Sequence, residues 1–448
     1  TTADTVDANI GDGICADANG LCSLRAAVQE TNALAGPDSI IVPAGIYLLT
    51  IAGAGEDAAA TGDLDITDTL TINGAGPTAT IIDSNFLDRV VHVLNSVATL
   101  NGIALLNGAG VAGGGIFINS SVVMVDNSTI SNNSSSSGGG GIWQQGASSQ
   151  LNITNSTISG NSSLASGANG IDGGGLAVEK GLVSISNSLF DSNISSADGG
   201  GIDIGWASGA VVSITDSTFS NNQAQGGSGG AIYDYGSSSL SVSGSSFVGN
   251  SASASAGALS IGANAVIVNS TISGNTAGSF GGGIFAEGSA TPYPIIRNCT
   301  ITGNTATNGG GVVNNNWQNG WIPNTHVTLE NSIVANQLAG GDCWNDSGAS
   351  FFVTNSIDTD GSCNAASTVN PLLGTLGNYG GPTQTIPLLA GSPAIDAAYS
   401  AVAPATDQRG VTRNGPPDIG AFEYWPGGIP GNNAPVISSP LDPYGFNV

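Results

Sequence analysis

The heptapeptide Asn155-Ser156-Thr157-Ile158-Ser159-Gly160-Asn161 (NSTISGN) recurs unchanged at residues 269–275. Aligned on its first Asn, the chain shows equivalent positions at Asn101, Asn127, Asn155, Asn187, Asp216, Gly244, Asn269, Asn298 and Asn331. The steps are 26, 28, 32, 29, 28, 25, 29 and 33 residues. A period in this range marks a solenoid or array. Two residues before each marker from Asn127 onward stand Val125, Ile153, Ile185, Ile214, Val242, Ile267, Ile296 and Leu329, and apolar residues also dominate four before it. The residues between are mostly polar, which is the alternation of a half-buried strand. After the marker the parity changes: a small residue stands at plus one (Ser, or Cys299) and an apolar one at plus three, such as Ile130, Phe190, Phe219 and Phe247. The marker is therefore a corner between two strands, and Asn, Asp and Gly are the residues that accept a left-handed backbone there.

A second corner is expected six residues on, at Asn107, Asn133, Asn161, Asn193, Asn222, Asn250, Asn275 and Asn304, then Gln337. A third strand follows the glycine runs, as in GGGIF at 113–117 and 281–285 and GGAIY at 229–233. Three short strands and three corners make one coil of a right-handed parallel β-helix, an all-β fold with about 29 residues per coil. Coils stack at roughly 4.8 Å, so the Asn side chains of the second corner should form a hydrogen-bonded ladder like those of cross-β stacks. The predicted organisation is an N-terminal cap with a short helix (1–50), the β-helix (51–340), a C-terminal cap (341–424) and a proline-rich tail (425–448).

Composition limits the function. Six Lys and Arg face 32 Asp and Glu, a net charge of −26, which argues against nucleic acid and against an anionic membrane surface. No apolar run is long enough to insert in a membrane as a helix. Cys15 with Cys22 and Cys343 with Cys363 form two close pairs, read as disulfides of an exported protein whose leader has been removed ahead of Thr1. Cys299 sits in the inward plus-one column and reads as a buried thiol.

Several motifs resemble known families. GGAI at 229–232 and Phe219-Ser220-Asn221-Asn222 resemble the repeats of chlamydial polymorphic outer-membrane proteins. CSLRAAVQETNALAGPDSIIVPAGIYLLT at 22–50 resembles the CSLREAI-type segment of bacterial surface β-helix proteins. NPLLGTLGNYGGPTQTIPLLAGSPAIDAA at 370–398, with TDQRG at 406–410 and PDIGAFEY at 417–424, resembles a choice-of-anchor Q domain. These resemblances imply a secreted or surface-displayed bacterial protein, with adhesion as the expected role.

A β-helix exposes strand edges at both ends, and solenoids need caps. Leu21, Leu24, Val28 and Thr31 at helical spacing predict a capping helix. CSLREAI-type segments usually carry an apolar strand ahead of a run such as TTADTVDA. The sequence therefore leads to an expected non-enzymatic structural protein, in which the strand-like tail of one copy (Ala434, Pro435, Val436, Ile437, Pro440, Leu441) docks beside Thr1 and Thr2 of the next. The expected partner is a second copy of the chain, head to tail in a filament or surface layer. A monomeric adhesin that binds a surface glycan is the alternative, and a polysaccharide lyase or glycoside hydrolase the third reading.

An enzyme of that third kind would need clustered carboxylates. Asp203, Asp234 and Glu287 are the outward candidates, with Lys180 nearby, and Asp203 and Asp234 on successive coils would meet the spacing of a glycosidase pair. Phe117, Trp143, Tyr233 and Phe285 make an outward aromatic stripe, suited to a sugar or to a covering loop. Arg25 and Arg409 read as structural ion pairs, the latter with Asp407 or Glu423, and His92 and His326 as too far apart for a metal pair. No cofactor is required by this reading. Asp7, Asn9, Asp12 and Asp17 in a glycine-rich loop alternate oxygen donors as calcium loops do, which makes calcium the one candidate ion.

Overall fold

The computed structural model describes residues 1–164, 171–205, 209–234, 236, 238–287, 292–315 and 326–426. Its strands form three long parallel sheets that run the length of the molecule, and a fourth, short one. The strands before the markers make a 12-stranded pre-corner sheet, those after them a 12-stranded post-corner sheet, and those after the glycines an 11-stranded glycine-side sheet. Two-residue strands beyond the second corner add a fourth sheet of seven. Each strand pairs with its equivalents one coil before and after, so the fold is the parallel β-helix that the period predicts.

Register follows the repeat. Val123, Leu151, Val183, Val212 and Leu240 stack in one column of the pre-corner sheet. Inward residues of three sheets meet in one continuous core that runs from Leu24 to Cys363. In the post-corner sheet Phe190, Phe219 and Phe247 stack face to face, with centroids 4.8 and 5.0 Å apart. All the markers from Asn127 to Asn331 have positive φ, between 44° and 63°. Glycine is required elsewhere by close approach: a Cβ on Gly283 would lie 2.7 Å from the carbonyl oxygen of Gly311 in the next coil.

The second corner carries the ladder. Asn133, Asn161, Asn193, Asn222, Asn250, Asn275 and Asn304 each donate from Nδ2 to the next side-chain oxygen, at 2.9–3.2 Å, ending on Gln337. Asn107 does not belong to it. It holds the left-handed position of that corner (φ 57°), as Asn132 and Asn221 do in later coils, and its side chain bonds Asp83 at 3.0 Å. Gly108 takes the ladder register, and its N–H donates to Asn133 Oδ1 at 2.7 Å. A parallel serine column links Ser128, Ser156, Ser188, Ser217, Ser245 and Ser270 by N–H to Oγ bonds of 3.1–3.2 Å.

The N-terminal cap is helix α1, Leu24–Ala33, with Ser23 as its N-cap accepting from Ala26 N. Leu21 lies outside it and is exposed. α1 packs beside strand 64–66, the edge of the glycine-side sheet, where Asn32 donates to Asp65 O and accepts from Thr67 N. The helix thus satisfies edge groups that another strand would otherwise take. Strands 38–41 and 45–48 of the first coil already lie within the segment read as the cap, and at the other end strands extend to 357–358.

The segment read as a C-terminal cap has a different place. From residue 371 onward the chain runs back along the flank of the helix, on the marker column. Asn355 donates to Ala397 O, Asn331 pairs with Tyr399, Asn298 donates to Asp418 O, and Asn269 donates to Thr406 O. Thr383 Oγ1 reaches Gly244 O. Apolar residues Leu388, Ala394, Ala398 and Ile419 pack on Ile333, Ala335 and Ile357. The corner residues that turn the backbone also offer free amide groups, and the returning segment uses them.

Candidate functional site

The outward residues of the glycine-side sheet form one column. In register they are Asp65, His92, Phe117, Trp143, Ala177, Asp203, Tyr233, Ser260, Phe285, Val313 and Trp344. Chemistry collects at its two ends, and between them Ala177 and Asp203 are buried.

At the C-terminal end the column opens into a groove of about 840 Å3, lined by Tyr233, Phe280, Phe285, Trp344, Glu287 and Asp346, with serines between. Phe280 and Trp344 lie with ring centroids 5.1 Å apart. Glu287 stands opposite Asn315 of the next coil, and Asp346 N bonds Asn314 O, so the two acids flank Asn315 on alternate coils. Among the described residues no Lys or Arg lines this groove.

At the N-terminal end lies a charged cluster. Arg89 Nε is 2.6 Å from Asp63 and 3.9 Å from Asp88. His92 Nδ1 is 3.2 Å from Asp65 and 3.5 Å from Asp57. The His92 ring stacks on Phe117 at 5.0 Å, and the Arg89 guanidinium lies 5.2 Å over the same ring. Burial, with Asp65 beside it, pushes Asp63 up to about 8 against the pull of Arg89. Burial also raises Asp88.

The predicted acid pair does not form. Asp203 points outward but is buried, accepts from Asp172 N at 2.6 Å and is raised well above the usual carboxylate range by that burial. Asp234 is in register with Ile204, one residue further along the strand, and so faces the interior. Adjacent strand positions point to opposite faces. Only Glu287 of the three reaches the groove. Lys180 is half-buried, and its carbonyl accepts from Gln144. The aromatic stripe divides: Phe117 and Trp143 belong with His92, and Tyr233 and Phe285 with the groove. Phe280 and Trp344 were not legible as partners, since one lies before a glycine run and the other beyond the last one.

In the loop read as a calcium site the carboxylates accept from nearby amides. Asp7 accepts from Asn9 N and Ala16 N, Asp12 from Ile14 N, and Asp17 from Asn19 N and Leu21 N. These carboxylates bond the loop's own backbone. Among the described residues the acidic groups whose ligand atoms converge are Asp57, Asp65 and His92, and Asp342, Asp358 and Asp360. His326 stands apart, bonded to Ser350 and stacked on Phe352 at 4.0 Å.

Both disulfides are formed, and Cys299 is buried and free. Arg25 pairs with Asp4 at 2.6 Å. Arg409 pairs with Asp407 at 2.6 Å and touches only the carbonyl of Glu423, whose carboxylate goes to Arg413. Thr1 and Thr2 are exposed, and the Thr1 amino group donates to Cys22 O. Ala434, Pro435, Val436, Ile437, Pro440 and Leu441 lie outside the described residues.

Residues 204–357 match the right-handed β-helix region family, and residues 127–145 the Chlamydia polymorphic membrane protein repeat. The fold is a right-handed parallel β-helix with a repeat of the polymorphic membrane protein kind. The repeat and the two disulfides fit an extracellular or surface protein. No curated protein matches the chain. Among solved structures it is similar to a pectate lyase, at 16% identity and TM-score 0.49 over 94% of this chain and 96% of that one. It is also similar to an alginate lyase of polysaccharide lyase family 6 in complex with a trisaccharide, at 14% identity and TM-score 0.48 over 92% and 95%. A mannuronic acid-specific family 6 lyase from human gut microbiota aligns at 9% identity and TM-score 0.39 over 74% of this chain and 84% of that one. The expectation of a protein without enzymatic activity finds no support in these structures, which are all polysaccharide lyases. At such identities the likeness speaks for the fold alone.

Proposed function

We propose that the groove binds an extended, neutral polysaccharide and that Glu287 and Asp346 cleave it as a general acid and base. One observation carries this reading: a groove on the outer face of the glycine-side sheet joins four aromatic rings to two carboxylates. Aromatic faces give a sugar ring an apolar platform, and pockets of this kind use few, well-placed polar groups. Glu287 and Asp346 are two coils apart, so their backbones are separated by roughly 9.6 Å. That spacing is close to the roughly 6.5–9.5 Å between the carboxyl groups of inverting glycosidases, which leaves room for a water. An anionic sugar fits poorly, since among the described residues the lining carries acids without a cation, and the chain has a net charge of −26.

The test is incubation with a panel of neutral and uronic polysaccharides, with reducing ends and product stereochemistry followed by NMR. The reading expects release from a neutral glycan with inversion. Glu287→Gln and Asp346→Asn should abolish turnover and keep binding, and Trp344→Ala should weaken binding. Binding with no turnover by the native protein would leave a glycan-binding surface and remove the catalytic roles. No binding to any neutral glycan would end the proposal.

A second reading, end-to-end assembly, rests on the first coil. Strands 38–41 and 45–48 end their sheets, and there Ile41 and Ile46 are 81% and 60% exposed. Such edges invite pairing with another chain. Electron microscopy of the full chain and of Ile46→Lys tests it: filaments in the native protein that are lost in the variant support assembly, and single rods in both refute it.

A further inference from the structure

We propose that Asp57, Asp65 and His92 bind one borderline divalent cation, of which Zn2+ is the representative, at the N-terminal end of the outward column. The three side chains bring their ligand atoms within 4.8 Å of one another. His92 Nδ1 faces two carboxylate oxygens at once, 3.2 Å from Asp65 Oδ1 and 3.5 Å from Asp57 Oδ1. One Nδ1 proton shared between both would be a bifurcated bond, and both separations are longer than the roughly 2.7–2.9 Å of a charge-assisted bond. The separations are instead close to the edges of a tetrahedron with bonds of about 2.0–2.2 Å, roughly 3.3–3.6 Å. Imidazole with carboxylates selects a borderline ion over calcium, which prefers all-oxygen cages.

The charge around the site points the same way. Asp57, Asp63, Asp65 and Asp88 converge here, and the cation among them, Arg89, is taken by Asp63 and Asp88. Asp65 is fully buried; its Oδ2 accepts from Ala59 N at 2.7 Å, and Oδ1 meets His92. Asp88, itself 5% exposed and within Coulomb range of Asp65 and His92, keeps Oδ2 buried without a hydrogen-bond partner among the described residues. Buried carboxylates in surplus over cations call for a metal or a proton. An open side is present, since the Asp57 side chain is 61% exposed, which leaves a coordination position for water.

The scaffold holds the site in place. Arg25, on α1, donates to the carbonyls of Ala59, Gly62 and Asp63, and Glu56 accepts from Ala58 N and Thr61 N. The loop that carries Asp57 is thereby tied at several points to the cap, and Asp65 and His92 are paired by strand register. Ligand geometry is set by the first coils and not by an exposed loop tip alone.

The test uses the full chain, stripped with a chelator and titrated with Zn2+ by calorimetry. One tight site per chain is expected, weakened more than roughly tenfold in Asp57→Asn and in His92→Gln. Asp57 is exposed, so its variant keeps the fold, and Asp360→Asn in the other acidic group should bind as the native protein does. The chain has two histidines, so a second readout is direct. Added Co2+ should shift or broaden the His92 imidazole NMR signals and spare those of His326. Absence of a one-to-one site, equal binding by Asp57→Asn and the native protein, or a shift at His326 in place of His92 would each overturn the assignment.

Discussion

Replacing Asn222 with Ala tests whether the Asn ladder stabilises the coil stack. Asn222 Oδ1 accepts from the backbone N and from Nδ2 of Asn193, at 3.1 and 2.9 Å. Its Nδ2 donates to Phe190 O and to Asn250 Oδ1, both at 2.9 Å. Asn193, Asn222 and Asn250 are fully buried, so water cannot replace what is lost. Alanine leaves the Asn193 backbone N–H and one Nδ2 hydrogen unpaired, while Nδ2 keeps Ile158 O at 2.9 Å; each loss costs about 1–3 kcal/mol. Asn250 Oδ1 keeps the Asn222 backbone N–H at 3.0 Å, which limits the damage on that side. The sum is about 4 kcal/mol, close to a thousandfold in an opening equilibrium. Stability in a stacked array is local, because each coil contacts its neighbours. Amide hydrogen exchange is therefore the assay. Residues 190–222 should exchange several hundredfold faster, whereas strands near 70–100 and 326–354 should keep their protection. Gln337→Ala, at the partly buried end of the ladder, should cost about 1 kcal/mol. If exchange around Asn193 rises less than roughly tenfold, the ladder records corner geometry and adds little stability, and the bookkeeping above fails.

Other outcomes follow from buried groups. Burial pushes the inward Asp234 up to about 6, so the native state binds a proton that the unfolded chain, near 3.8, has lost. Stability should therefore fall as pH rises from about 4 to 6, by up to about 3 kcal/mol, and Asp234→Asn should flatten that slope in denaturant titrations at several pH values. The Cys299 thiol is pushed up to about 12 by burial. A thiol reagent at pH 8 should find no reactive sulfur in the native protein and one per chain in denaturant, the other four cysteines being paired. Phe219→Ala removes the middle ring of the Phe190–Phe219–Phe247 stack and should destabilise by about 3–5 kcal/mol, read as an earlier unfolding midpoint.

The repeat was legible because a coil's constraints are periodic. Alternation in Val123 and Val125, a left-handed Asn127, then Ser128 and Ile130 describe one corner, and every coil has to solve the same problem. Asn107 shows the limit of such alignment. Its type fits two adjacent positions of the corner, and only the backbone φ and the bond from Gly108 N to Asn133 decide between them. Asp203 and Asp234 failed for a related reason: a one-residue difference in strand position turns a side chain to the other face. Asp65 and His92 are 27 residues apart, one coil period, and that spacing was a usable signal. The first coils lack the glycine run that marks the third strand elsewhere, so the spacing has no frame there. Asp57 had no periodic signal at all, since a loop delivers it.

The course of the C-terminal segment decides which face of the rod is free for a ligand. Along the post-corner sheet the first outward residue of each strand is half-buried at Thr129, Thr157, Leu189 and Thr218, then fully buried at Ser246, Thr271, Thr300 and Ile333. The change falls where residues 371–424 begin to cover the flank, with Gln408 bonded to Thr271 and Ser245 and Ala421 to Thr300. The coils that lose this face to their own chain are those that carry the groove on the glycine-side sheet, from Tyr233 to Trp344. A parallel β-helix coil has thin walls, and strands of three residues hold a groove only as firmly as their neighbours do. A second apolar cluster, Leu388, Ala394 and Ile419 on Ile333 and Ile357, backs the last of those coils on the post-corner sheet. The segment that reads in sequence as an end cap is thus better understood as a splint for the candidate binding face.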